Sequence, residues 1–226
     1  MKMKTIQTIL LGLAFTCSLS TGAFGATFVQ TTPYLSALDS PFNTALSGYY
    51  IEDFEDGSLN TTGAFIMSTA HGSSISAGFS VDADDGSIDG SGAGGKSLSV
   101  ITQFGTTGVT FIFNAGTLGQ LPQAVGIVAT HANAAPLVIE TFDPVGVSHG
   151  TTNVTLSMSG ATTGDDVFLG VTDLGGISKF KLSSNAAATF LHLDHLQYGP
   201  VPEPATLSLL GIGAWGILRR RRRPNC

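Results

Sequence analysis

Few side chains in this 226-residue sequence stand where chemistry could be done. Its five histidines, His71, His131, His149, His192 and His195, are scattered except for the last pair. On a strand over 189–198, the period of two places His192 on one face with Asp194 and turns His195 the other way, so the three cannot share an ion without distortion. Acids gather at Asp53-Phe54-Glu55-Asp56-Gly57 and again at Asp82, Asp84, Asp85 and Asp89. The second group has the look of a calcium loop. However, no Glu closes it and glycines follow in place of a helix, so it reads as a solvated Asp-rich loop. There is no His-Glu-x-x-His pair. Gly211-Ile212-Gly213-Ala214-Trp215-Gly216 fits a dinucleotide pattern but lacks the strand and amphipathic helix that pattern needs; its glycines suit close helix approach in a membrane. These observations point to a non-enzymatic protein.

The clearest chemistry is done to the chain, near its end. In Val201-Pro202-Glu203-Pro204-Ala205 the two prolines fix φ and remove backbone donors, which predicts a stiff, extended segment open to a processing enzyme. Residues 205–218 are apolar or small, and as a helix these 14 residues reach about 21 Å against a hydrocarbon core of about 30 Å. Arg219, Arg220, Arg221, Arg222 and Arg223 then act as a membrane stop, costly to translocate and attracted to anionic headgroups on the cytoplasmic face.

This order of motif, short helix and arginines resembles the PEP-CTERM sorting signal of bacteria. The resemblance implies recognition by an exosortase, processing near Pro202, Glu203 and Pro204, anchoring in the inner membrane before processing, and delivery to the cell surface or the exopolysaccharide matrix. The other end agrees. Lys2 and Lys4 precede an apolar run, and Ala23-Phe24-Gly25 is a site for signal peptidase with cleavage before Ala26. The expected organisation is a signal peptide over 1–25, a domain over 26–198 and a sorting tail over 199–226.

Removing both ends also removes Cys17 and Cys226, leaving no disulfide and no thiol chemistry. Residues 26–198 retain 15 acids against Lys96, Lys179 and Lys181, a net charge of −12. Binding to nucleic acid through a basic face is disfavoured. Within this span, short Val/Ile/Phe/Thr runs alternate with Gly, Asp and Ser clusters, and no 3.6-residue apolar period persists. Strands are expected over 49–54, 77–81, 98–102, 109–113, 125–130, 137–142, 153–157, 167–171, 177–182 and 189–198. The fold class is all-β, a single antiparallel sandwich, jelly-roll-like. Val109, Phe111 and Phe113 share one face and are expected in its core.

Asp53 to Gly57, together with Leu193-Asp194-His195-Leu196-Gln197-Tyr198, resemble the bracketing motifs of jelly-roll carbohydrate-binding modules. That resemblance implies a structural calcium ion with Glu55 and Asp194 as side-chain ligands and carbonyls completing the shell. His195 stands where a second acid is common in those modules. No other cofactor is expected. Two functions stay open: a structural or adhesive surface protein associated with extracellular polysaccharide, and a carbohydrate-binding module. The second would use Tyr34, Tyr49, Tyr50 or Tyr198 to stack sugar rings, since the single tryptophan, Trp215, lies in the tail.

Overall fold

Alternation along Gly108–Phe113 is what makes two faces: Val109, Phe111 and Phe113 are buried while Ile112 is half-buried. A computed structural model describes residues 25–42, 44–45, 47–68, 73–81, 95–102, 108–132, 136–156, 158, 165–184 and 189–201. Residues 1–24, the acids at 82–90, His71 and the motif from Pro202 onward lie outside the described residues.

The described chain forms β1 (Thr27–Thr31), β2 (Tyr50–Glu52), β3 (Ala64–Ser68), β4 (Ser73–Ala77), β5 (Lys96–Thr102), β6 (Gly108–Phe113), the short helix α1 (Ala115–Leu118), β7 (Ala124–Ala132), β8 (Pro136–Phe142), β9 (Ser148–Thr155), β10 (Val167–Thr172), β11 (Lys179–Ser184) and β12 (Thr189–Gly199). All pairings are antiparallel. One sheet runs β1-β10-β7-β12-β5-β4, with β2 also on β12; the other runs β3-β6-β11-β8-β9. The expected all-β sandwich is what forms. No helix among the described residues is long and apolar enough to cross a membrane.

The space between the sheets is filled by Phe111, Phe113, Phe180, Ile127, Leu169, Leu191, Leu193 and Leu196, among others. β12 lies at the middle of the larger sheet. Along one side it pairs with β7; along the other, Thr189–Leu193 pair with β5 and Leu196–Tyr198 with β2. Several strands differ from expectation. β1 and β3 were not anticipated, β4 precedes the expected 77–81, and β9 begins before 153.

Candidate functional site

The outer face of the larger sheet is roofed over. Phe168 on β10 and Val128 on β7 point away from the main core and form a second apolar cluster with Tyr34 and Val81, against which Phe42 packs. Tyr34 stacks on Phe168 with ring centroids 5.9 Å apart, and Phe42 meets Phe168 edge-on at 5.2 Å. Two glycines make room for the Phe168 ring: a Cβ at Gly126 would lie 2.2 Å from its Cζ, and one at Gly170 would lie 2.7 Å from its Cε1. The described residues of 32–49 thus form a strap across the sheet.

Polar groups of β12 hold that strap. Between Asp194 and Gln197 the register with β7 shifts, and His195 adopts φ +44, an extra residue accommodated as a β-bulge. The bulge overturns the expectation that His195 points away from the Asp194 side. Its Nδ1 is 3.2 Å from the Tyr34 hydroxyl, the same hydroxyl that accepts from Gln197 Nε2 at 2.5 Å. Gln197 Oε1 accepts from Ser40 Oγ at 2.5 Å and from Tyr49 Oη at 3.1 Å. One buried carboxamide therefore ties down three points of the strap. Burial raises the Tyr49 phenol far above its usual range.

The expected ligand residues Glu55 and Asp194 do come together, on either side of Ser80. Ser80 Oγ lies 3.0 Å from Glu55 Oε1 and 2.8 Å from Asp194 Oδ2. A hydroxyl has one hydrogen, so it cannot satisfy both carboxylates when both are ionised. Asp194 is wholly buried. Its Oδ2 also accepts from Val81 N at 2.8 Å and its Oδ1 from His195 N at 2.7 Å. Burial pushes its carboxyl up to about 6, against the opposing pull of His195, the Val81 and His195 amides and Ser80. Glu55 Oε1 accepts from Lys96 N at 2.8 Å, and Lys96 Nζ donates to the Glu55 carbonyl at 2.6 Å. Asp53 and Asp56 cap turns, accepting from Glu55 N at 3.2 Å and Ser58 N at 2.8 Å. Among the described residues no group of three or more His, Cys, Asp or Glu side chains could hold a metal ion.

A further acid, Asp166, enters from β10's leading edge. Its carbonyl accepts from Tyr34 N and Thr32 Oγ1, each at 3.1 Å, but its buried Oδ2 has no hydrogen-bond partner. Burial, then the charges of Asp165 and Asp194, push its carboxyl up to about 8. Sequence reasoning passed over Asp166, Ser80 and Gln197 as site residues, and named Tyr34 only as a ring to stack sugars. The spacing Leu191, Leu193, Leu196, Tyr198 carries the signal for the bulge, because a gap of three between core residues means one extra residue on the strand.

The other described histidines make contacts of their own. His131 stacks on Phe79 with centroids 4.2 Å apart, and His192 bonds Ser97 Oγ at 3.0 Å. Burial and the neighbouring His131 push His192 down to about 4. His149 Nε2 pairs with Asp173 Oδ2 at 3.0 Å. The tyrosines expected to stack sugars do not form an open platform. Tyr34 and Tyr198 are buried, Tyr50 stacks on Tyr198 at 5.3 Å, and Tyr49 serves Gln197.

The PEP-CTERM protein-sorting motif matches residues 200–223. No curated protein matches this chain. Among solved structures it is similar to an exo-β-agarase at 13% identity and TM-score 0.42, over 67% of this chain and 25% of that one. It is also similar to the CBM22-1 xylan-binding domain of Paenibacillus barcinonensis Xyn10C at 17% identity and TM-score 0.38, over 69% of this chain and 95% of that one. A third is TmCBM61 in complex with β-1,4-galactotriose, at 9% identity and TM-score 0.35, over 65% and 94%. The chain thus spans only a quarter of the length of the agarase.

Proposed function

We propose that this chain is an exported, non-catalytic β-sandwich with a structural or adhesive role at the cell surface or in an exopolysaccharide matrix. Signal peptidase releases its amino terminus before Ala26, and an exosortase processes its tail near Pro202, Glu203 and Pro204. The carrying observation is the sorting motif itself, which begins at residue 200, directly after β12 ends at Gly199. The converging acids, His195, Tyr34 and Gln197 favour a scaffold, because their hydrogen bonds are turned inward to fasten the strap. Mass spectrometry of the carboxyl terminus in cells that carry the sorting enzyme tests the tail. A chain shortened near Pro202 is expected, and one still ending at Cys226 counts against processing.

A second reading, a carbohydrate-binding module with a structural calcium ion, has an observation of its own. Glu55 and Asp194 share one hydroxyl hydrogen at Ser80, so a proton or a cation between them would relieve the repulsion of the two carboxylates. The donor set is all oxygen and suits a hard divalent ion, which Glu55 and Asp194 would hold and which would offset two carboxylate charges. Under this reading a chelator lowers the melting temperature of the native protein and Glu55→Gln removes that response. A chelator without effect, with no saturable binding on a glycan array, leaves the scaffold reading alone.

A further inference from the structure

We propose that the end of the sandwich from which the tail leaves is a membrane-contact surface, seated on the lipid bilayer that holds the tail. This rests on the reading of 205–218 as a membrane-inserted segment.

The register of the larger sheet fixes where the chain enters and leaves. Thr27 pairs with Thr172, Thr172 with Ala124 and Ala124 with Gly199, so the first and last strands meet one edge in a single row across four neighbouring strands. Adjacent strands are about 4.8 Å apart, which puts the two ends about 14 Å from each other. Both membrane-directed segments, the export signal before Ala26 and the sorting tail after Gly199, therefore leave from the same end.

The exit is held in place. Gln123 N donates to the Gly199 carbonyl at 2.8 Å, Val201 N donates to Gln123 Oε1 at 3.2 Å, and Gln123 Nε2 donates to the Leu174 carbonyl at 3.1 Å. From Val201 the four residues to Ala205 span at most about 14 Å. A bilayer that contains the apolar stretch is therefore within a few side-chain lengths of this end.

Its loops carry what a lipid surface accepts. The turn after β8 exposes Val145 at 83% and Val147 at 61%, and the turn after β10 exposes Leu174 at 39%. The two turns adjoin the segment before β7: Ile177 N donates to the Pro122 carbonyl, and a Cβ at Gly176 would touch both Leu121 and Pro144. The acids of these turns are held by backbone amides, Asp143 half-buried and Asp173 buried. Asp143 Oδ1 accepts from Val145 N at 2.9 Å and Val147 N at 2.8 Å, while Asp173 accepts from Gly175 N at 2.7 Å and pairs with His149. Residues 114–122, 144–147 and 174–176 contain no charged side chain at all, in a domain whose net charge is −12. An anionic bilayer thus meets apolar tips, and the one half-buried acid beside them, Asp143, is engaged by the Val145 and Val147 amides. A cleft of about 320 Å³ beside Leu118, Leu121 and Pro200 opens at the same end.

The test uses the processed chain from Ala26 with its tail intact and Cys226→Ser, reconstituted into phosphatidylcholine/phosphatidylglycerol vesicles that carry spin-labelled acyl chains. An environment-sensitive fluorophore is placed at V145C, at L174C, or at T155C; Thr155 pairs with Pro136 at the opposite end. Flotation is measured in parallel. The expected result is co-flotation with fluorescence lost at 145 and 174 and retained at 155. Co-flotation with 145 and 174 no more quenched than 155 overturns the contact surface alone. A chain that fails to float with the vesicles overturns the tail reading and the proposal with it. Quenching that appears only when the sorting enzyme is also in the vesicles assigns the surface to a protein partner and overturns lipid contact.

Discussion

Replacing Asp166 by asparagine should flatten the pH dependence of stability on the alkaline side of neutrality. The Asp166 carboxyl is buried, has an oxygen without a partner and is pushed up to about 8 from an ordinary 3.8. Because it is an acid with a raised value, the folded state keeps a proton that the unfolded chain has already released. Stability therefore falls as pH rises from about 4 to about 8, and is level outside that window. Asp194, pushed up to about 6, acts in the same direction only at the lower end of the window. His192, pushed down to about 4 from 6.5, acts oppositely, its cost vanishing as pH rises to 6.5. Of the groups shifted in this way, Asp166 alone titrates between pH 6.5 and 8. Over that interval, at about 1.4 kcal/mol per pH unit, the native protein should lose about 2 kcal/mol. With a urea dependence of about 2 kcal/mol/M, its unfolding midpoint should fall by about 1 M. Asp166→Asn should hold its midpoint constant across the interval and exceed the parent at pH 8. Equal slopes for parent and variant would refute the reasoning.

Tyr34→Phe removes the hydroxyl that serves both His195 and Gln197, leaving a buried donor without its acceptor; a loss of about 1–3 kcal/mol is expected in urea unfolding, and a variant as stable as the parent contradicts the clasp. Gly126→Ala forces a methyl into the Phe168 ring and should cost about 1–3 kcal/mol, most of it recovered in the double variant with Phe168→Leu. Simple additivity of the two changes would show that the ring is not what the glycine accommodates.

The main sandwich was legible because its strands alternate. Val109, Phe111 and Phe113 face inward as their spacing predicts, and β7, β8, β10 and β12 form where Val, Ile and Phe are dense. β3 was missed for a physical reason: in Ala-Phe-Ile-Met both faces are apolar, with Phe65 53% and Met67 49% exposed, so no alternation marks it. The strand expected over 77–81 failed because Ser80 and Val81 leave the sheet to cover Asp194, and Val81's apolar side chain serves the roof and not the core. Of the site, the bracketing motifs pointed to Glu55 and Asp194, which the fold brings to either side of Ser80. Asp166 was not indicated, and Tyr34 only as a sugar-stacking ring, since their proximity depends on β1 lying beside β10, a pairing across some 140 residues that no local pattern encodes.

The position of β12 sets an order on assembly. A chain that stops before Thr189 leaves β7, β5 and β2 with the edges that β12 would join, and the strap without Gln197 to hold it. Because loop closure over such distances comes late and open edges invite pairing with other chains, the vulnerable interval in this protein's life lasts until its last strand arrives. That strand runs directly into the sorting motif. A molecule whose tail sits correctly for processing is thus also one whose sheet has had the means to close, so address and completeness are carried by neighbouring residues.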